Sequence, residues 1–115
     1  PRQSHLNSNG ERGRNCVRQR ASWCTVERPF GDQVFGVAVF SHPKNAEYPP
    51  VWRVDEQGLI NPSVTALGDW QLAPGEAKIF RQHIVVYKGS ASPEWLKKKF
   101  EDYVAGLAAT TPNPK

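Results

Sequence analysis

The sequence has no methionine and only two cysteines, Cys16 and Cys24, among its 115 residues. Two cysteines are too few for a disulfide-rich scaffold or for a four-cysteine zinc site. Their spacing permits a disulfide across a hairpin, but we favour Cys24 as a small buried hydrophobic residue. Because the initiator methionine is missing, we expect the chain to be the C-terminal portion of a larger protein.

Long apolar stretches are also missing. No run approaches the roughly 18 apolar residues that span a bilayer, and residues 1–15 contain no apolar core of a signal peptide. We therefore expect a soluble chain with no membrane partner. Its location stays open, with a periplasmic or secreted full-length protein among the alternatives.

The positive charge is confined to one end of the chain. Within residues 1–28 six arginines stand against two glutamates, which accounts for the whole net charge of +4. This stretch is rich in Ser, Asn and Gly, which favours a solvated lead-in over a basic binding face. No helix-turn-helix, zinc-finger or RNP pattern is present, so no nucleic-acid partner is predicted.

Apolar runs separated by turn residues predict strands. The strongest is 33–41 (QVFGVAVFS), which is apolar almost throughout and therefore expected to be buried on both faces. With the β-favouring run 20–27 and the turn residues 28–32, it predicts an antiparallel hairpin. Further along the chain we predict a strand at 51–54, an exposed segment at 59–62, a broken strand at 63–72, a type II turn at 73–76 and a long strand at 78–88.

The long strand 78–88 presents two different faces by period-two alternation. Its even positions, Phe80, Gln82, Ile84 and Val86, form the face that we predict to meet the core. Its odd face turns polar in the middle, where a function is most easily placed: Ile79, Arg81, His83, Val85 and Tyr87.

A helix is predicted after this strand. Ser92 fits the N-cap, Pro93 the first helical position and Glu94 the positive end of the dipole. Apolar residues then recur every three or four positions and form one stripe, whereas Lys97, Lys98 and Lys99 form a solvated face. The stripe comprises Trp95, Leu96, Phe100, Tyr103, Val104 and Leu107.

Together these elements predict a mainly β fold: a partial antiparallel β-sandwich of about five strands with one C-terminal amphipathic helix. We place an irregular basic lead-in at 1–19, the sandwich portion at 20–109 and a disordered tail at 110–115. Since a small sandwich usually has about seven strands, the remainder of the same chain is an expected partner.

Three stretches resemble the C-terminal half of the PmoA-like family. They are 35–45 (FGVAVFSHPKN), 50–62 (PVWRVDEQGLINP) and 72–89 (LAPGEAKIFRQHIVVYKG), and the likeness extends over about 9–107. The resemblance implies a bacterial β-sandwich of unassigned activity that is often labelled "methane oxygenase". Two positions depart from the family pattern: Arg53 stands where the family tends to have histidine, and His83 where it tends to have arginine.

The resemblance also implies a carbohydrate-linked role, by analogy of architecture with sugar-degrading proteins. The oxygenase label is disfavoured, because His5, His42 and His83 lie far apart in sequence without metal-ligand spacing. We therefore predict no metal and no cofactor. Paired carboxylates for glycoside hydrolysis are not evident either.

Candidate site residues follow from the predicted elements. His42, at the end of the strongest strand, is the candidate catalytic residue, as a base or ligand, or else it caps the loop together with Asn45. Trp52 is either a sugar-stacking platform or, as we favour, part of the core. The candidate binding residues are Asn45, Trp52, Arg53, Asn61, Arg81, His83 and Tyr87.

We consider three functions. The leading hypothesis is a carbohydrate-associated domain, binding or degrading, in which the polar strand face and the His42 loop line a cleft for a carbohydrate ligand. The alternative is a non-catalytic structural or interaction module whose polar residues are simply solvated. A metal-dependent oxygenase is a third and disfavoured possibility, and whether the protein is an enzyme stays open.

Overall fold

The structure, a computed structural model, describes residues 3–109. It is mainly β and ends in one helix, as predicted. The strands are β1 Ser4–Asn7, β2 Trp23–Phe30, β3 Gln33–Ser41, β4 Val51–Val54, β5 Ile60–Ser63 and β6 Gln82–Lys88; a 3-10 helix, Gly13–Cys16, lies between β1 and β2, and helix α1 is Pro93–Ala109. The predicted tail at 110–115 lies outside the described residues. Among residues 3–109 no helix has the length and hydropathy of a membrane span.

The strands form two antiparallel sheets. The main sheet has the order β1-β2-β3-β6, and β4 pairs with β5 in a separate two-stranded sheet. The predicted hairpin is confirmed, but its turn is tighter than expected, since Phe30 already pairs with Gln33. Pro29 lies near the end of β2, two residues beyond Glu27, which pairs with Ser4, the first residue of β1.

Two predicted segments differ from the structure. The predicted irregular lead-in at 1–19 is not irregular throughout its described part, because within residues 3–19 β1 pairs along β2 and the 3-10 helix follows it. The broken strand at 63–72 is wrong: the strand lies earlier, at Ile60–Ser63, and residues 64–67 form a turn. The partner of β1 is distant in sequence, and local propensity does not show it. The partner of β5 is the neighbouring strand β4.

The main sheet is covered on both faces. On one side Phe40 and Ala38 pack with Leu96 of α1, and on the other Val39 packs with Trp52 of β4. Successive residues of a strand point to opposite faces, so β3 contributes to both clusters. The prediction that this strand is buried on both faces is confirmed.

Strand β6 is shorter than predicted and its faces are reversed. It begins at Gln82, and the helix packs on its odd face, where Val85 and Tyr87 are partly buried. The even residues Ile84 and Val86 are 62% and 70% exposed. Both faces carry apolar residues, so alternation alone does not reveal which of them the helix covers.

Both cysteines are free thiols in the core cluster that lies against β4. Burial raises the pKa of the Cys16 thiol, and the nearby Glu11 carboxylate raises it further. Burial likewise raises the pKa of Cys24 well above its ordinary value. Because the thiolate is the nucleophile, neither group is activated for chemistry, which agrees with Cys24 as a packed hydrophobic residue.

Gly36 creates space for a tyrosine on the neighbouring strand. It pairs with Tyr87 across β3 and β6, and a Cβ atom at position 36 would come closer to the Tyr87 ring than van der Waals contact permits. The ring lies across the glycine and extends to Glu27, whose carboxylate oxygen accepts from the Tyr87 hydroxyl at 2.7 Å.

The buried thiols make a prediction about reactivity. In the native protein at neutral pH, Cys16 and Cys24 should react with a disulfide reagent such as DTNB only slowly, because attack requires a buried thiolate. In denaturing guanidinium both should react at once. Rapid labelling of one thiol in the native protein would contradict their burial.

The contact at Gly36 makes a prediction about stability. Gly36→Ala should lower the free energy of unfolding by about 1–3 kcal/mol, because the new methyl group displaces the Tyr87 ring. Gly68→Ala is the matched control, since a Cβ atom at position 68 meets no atom within 4 Å. Chemical denaturation measures both, and an equal effect of the two changes would refute the contact.

Candidate functional site

Asn45 fixes the loop after β3 against the start of β6. Its side-chain amide donates to the carbonyl oxygen of Arg81 at 2.8 Å and accepts from the Arg81 backbone N–H at 2.9 Å. The same amide also donates to the Ser41 hydroxyl at 3.1 Å. The backbone N–H of His42 donates to the Arg81 carbonyl as well, at 3.1 Å. Three hydrogen bonds therefore hold the Arg81 backbone beside His42.

Four aromatic rings lie next to the point where the loop after β3 meets the start of β6. His83 stacks on Tyr103 of α1 with ring centroids 4.7 Å apart and an interplanar angle of 16°. His42 meets the same tyrosine edge-on at 6.3 Å. Phe40 lies behind, 5.8 Å from the His83 ring. His42, Lys44, Arg81, His83 and Tyr103 are called the histidine patch below.

The histidine patch is electropositive. Burial lowers the pKa of His42, and the cationic Arg81 and Lys44 lower it further. Burial raises the pKa of Tyr103, an effect that Arg81 opposes. Within residues 3–109 the Arg81 guanidinium forms no ion pair. A guanidinium without an ion pair, whose backbone is held beside a neutral imidazole, is suited to hold an anion.

One imidazole nitrogen of His42 is already engaged. Its Nδ1 accepts from the Lys44 backbone N–H at 3.0 Å, so in the neutral ring the hydrogen is on Nε2. Nε2 is therefore the atom that can donate to a ligand. The capping role considered for His42 and the role in binding are compatible, because they use opposite sides of the ring.

A small cavity adjoins the histidine patch. Its volume is about 200 Å³, and its walls include Asn45, Phe80 and Gln82 together with Pro50, just before β4, and Pro62 of β5. Asn45 belongs to the cavity wall and also forms the hydrogen bonds to the Arg81 backbone, which are called the clamp below. A ligand on the patch thus has a partly apolar recess beside it.

Other candidate residues lie elsewhere. Trp52 is fully buried, and its indole N–H donates to the Ala21 carbonyl at 2.7 Å, so its ring is closed to a sugar. Arg53 and Asn61 are exposed and face each other across β4 and β5. They belong to the other sheet and do not join the histidine patch.

Tyr87 has a structural partner. Its hydroxyl donates to Glu27, and that carboxylate oxygen also accepts from the Ala91 backbone N–H at 2.9 Å. Burial and the Glu27 carboxylate raise the pKa of Tyr87 well above its ordinary value. The pair ties the end of β6 to the start of α1, so Tyr87 shares the face of His83 without sharing its surroundings.

Sequence reasoning missed Tyr103. Helical periodicity placed it in the apolar stripe of α1, and only the packing of that stripe on the odd face of β6 brings it to His83. Among residues 3–109, no three His, Cys, Asp or Glu side chains come together in a group that could hold a metal ion.

The clamp makes a prediction about Asn45. Asn45→Asp removes the donor that serves Ser41 and Arg81 and places a carboxylate beside two oxygen acceptors. The free energy of unfolding should fall by about 1–3 kcal/mol. Asn61→Asp, at an exposed position of β5, should have little effect. Denaturation curves compare the two, and equal stability would show that the clamp contributes nothing.

The comparisons with known proteins correct the family expectation. A family model of unknown function, DUF6807, matches residues 2–101. No curated protein and no solved structure matches the chain. The predicted membership of a PmoA-like family is therefore wrong, and no oxygenase activity follows from the family that does match. The chain belongs to DUF6807, a family of unknown function.

Proposed function

We propose that the histidine patch binds an acidic carbohydrate, such as a uronic acid residue, and that the domain is a binding module. The observation that carries the proposal is the Arg81 guanidinium: Asn45 and His42 fix its backbone, while the charged end has no ion-pair partner among residues 3–109. A cation held in this way is expected to pair with an external anion.

The charge of the patch supports an anionic ligand. Arg81 and Lys44 both lower the pKa of His42, so the two cations act on the same small region. A carboxylate placed between them is attracted by both and can accept two parallel hydrogen bonds from the guanidinium fork. A neutral or cationic ligand gains nothing comparable from this field.

The rings support a carbohydrate. Tyr103 and His83 present a stacked pair of rings at the surface, and the neutral His42 offers its Nε2 hydrogen to a hydroxyl oxygen. Aromatic faces suit the C–H faces of a pyranose, and hydroxyls can exchange hydrogen bonds with the side chains around them. The recess lined by Phe80 and Gln82 extends the contact surface.

The structural alternative has its own support. Asn45 and Tyr87 are both engaged inside the fold, as expected of residues that only hold elements together. The two functions differ in what they predict for Arg81, because only the binding function requires its guanidinium to contact a ligand. We propose no reaction, since no group of the patch is arranged as a nucleophile with its base.

Binding is tested first with oligogalacturonate and, as the neutral counterpart, oligomaltose. Calorimetry should detect oligogalacturonate binding that Arg81→Gln weakens about ten- to a hundredfold, the loss expected for hydrogen bonds to a charged group. Arg28→Gln is the matched control, because this substitution removes the same charge from an exposed position on β2. Absence of binding, or equal weakening by both changes, would favour the structural alternative.

Binding of an anion should depend on pH through His42. In the free protein its pKa lies below the ordinary 6.5, and a bound carboxylate raises it, so binding takes up a proton. Affinity should therefore rise as pH falls from neutral and level off below the pKa of the free protein. Calorimetry in buffers of different pH measures this slope.

His42→Gln should abolish most of that pH dependence while retaining binding at neutral pH. The other charged or titratable groups of the patch are Arg81, Lys44, His83 and Tyr103. His83→Gln separates its contribution from that of His42. A slope unchanged by His42→Gln would contradict the assignment.

A further inference from the structure

A second opening lies on the other side of the molecule from α1. It is a cleft of about 1050 Å³ between β1, the 3-10 helix and the turn after β4. It shares no lining residue with the histidine patch or with the recess beside it. Its walls include Gln3, His5, Arg14, Val54, Asp55 and Glu56.

His5 is the unusual member of this lining. Its side chain lies on β1 and the residue is only 6% exposed. Its Nε2 atom nevertheless has no hydrogen-bond partner among residues 3–109. Buried polar atoms in native folds are nearly always paired, so an unpaired one at the wall of a cleft requires an explanation. A ligand in the cleft supplies the missing partner.

The protonation of His5 narrows the choice of ligand. Burial lowers its pKa, although the Leu59 backbone and the Asp55 carboxylate oppose that effect. A neutral imidazole presents either a lone pair or an N–H at Nε2, depending on the tautomer. A hydroxyl group can both donate and accept, so it satisfies either tautomer, whereas an ammonium or a carboxylate satisfies only one.

The charged groups around the cleft also favour a neutral ligand with hydroxyl groups. Arg14 and Glu56 are exposed and form no ion pair within the described part of the chain. One carboxylate oxygen of Asp55 already accepts from the backbone N–H groups of Gln57 and Leu59, at 2.9 and 3.1 Å. An anion would meet two carboxylates and a cation would meet the guanidinium, but neutral hydroxyls can bond to both kinds of group.

We infer that this cleft binds a neutral polyhydroxylated molecule, a sugar or polyol without a charged group. One hydroxyl bonds to Nε2 of His5, others bond to Arg14 and Glu56, and the carbon skeleton lies against Val17 and Val54 of the lining. The inference goes beyond the acidic ligand proposed for the histidine patch and does not depend on it.

The test follows the ring nitrogens of His5 by long-range proton–nitrogen NMR on the full chain. The probes are glucose, xylose and myo-inositol, with galacturonate and putrescine as the anionic and cationic arms. At least one neutral probe should produce a saturable shift at the His5 Nε2 resonance. Arg14→Gln and Glu56→Gln should each raise its Kd about tenfold, the change expected for one lost hydrogen bond to a charged group.

Arg28→Gln serves as the control, because it removes an exposed arginine that does not line the cleft. The inference is overturned if no neutral probe shifts the resonance, if only galacturonate or putrescine does, or if the shift survives both cleft substitutions. Arg81→Gln should leave the signal intact, so failure here is distinguishable from failure at the histidine patch. Thermal melts of each variant exclude unfolding as the cause of a loss.

Discussion

Strand β3 has apolar side chains on both faces, and the rest of the molecule is arranged around that constraint. Alternation directs Phe40 to α1 and Val39 to the β4–β5 sheet. Each face must be covered by another element to remove apolar surface from water. The helix and the small sheet therefore lie on opposite sides of β3, and the polar residues at its end are placed between them.

The histidine patch is a consequence of that arrangement. The strand ends at Ser41, and the chain must leave the sheet while its backbone groups stay satisfied. Asn45 meets this need by bonding to the backbone of Arg81, directly before the adjacent strand β6. The same contacts that end β3 therefore place His42 and Arg81 side by side, with the ring of Tyr103 of α1 next to His42.

The parts of the fold that the sequence predicts well are those with local causes. The bounds of β3 and β4 agree with the predicted 33–41 and 51–54, because a dense apolar run and flanking turn residues determine them. The N-cap of α1 is also as predicted, with the Ser92 hydroxyl accepting from the Trp95 N–H at 3.0 Å. Caps and turns depend on neighbours in sequence, so a single sequence reveals them.

The errors concern choices made between distant parts of the chain. Strand β1 forms only because β2 offers an edge to it, and nothing within residues 4–7 announces that partner. The prediction of which face of β6 meets the core is wrong, because both faces carry apolar residues and the packing of α1 decides which of them is covered. The sequence predicts that Arg81, His83 and His42 act together. It does not predict the part played by Tyr103, because the contacts of that ring with both histidines depend on how α1 packs on β6.

Arg81 has a further consequence through its position directly before β6 of the main sheet. Strand β6 is an outer strand, and its exposed Ile84 and Val86 belong to a β-favouring stretch that another chain can pair with. Arg81 and Lys88 stand at the two ends of that stretch as charged gatekeepers. Within residues 3–109 β6 is an outer strand, and charges of this kind disfavour the pairing of such an edge with another chain.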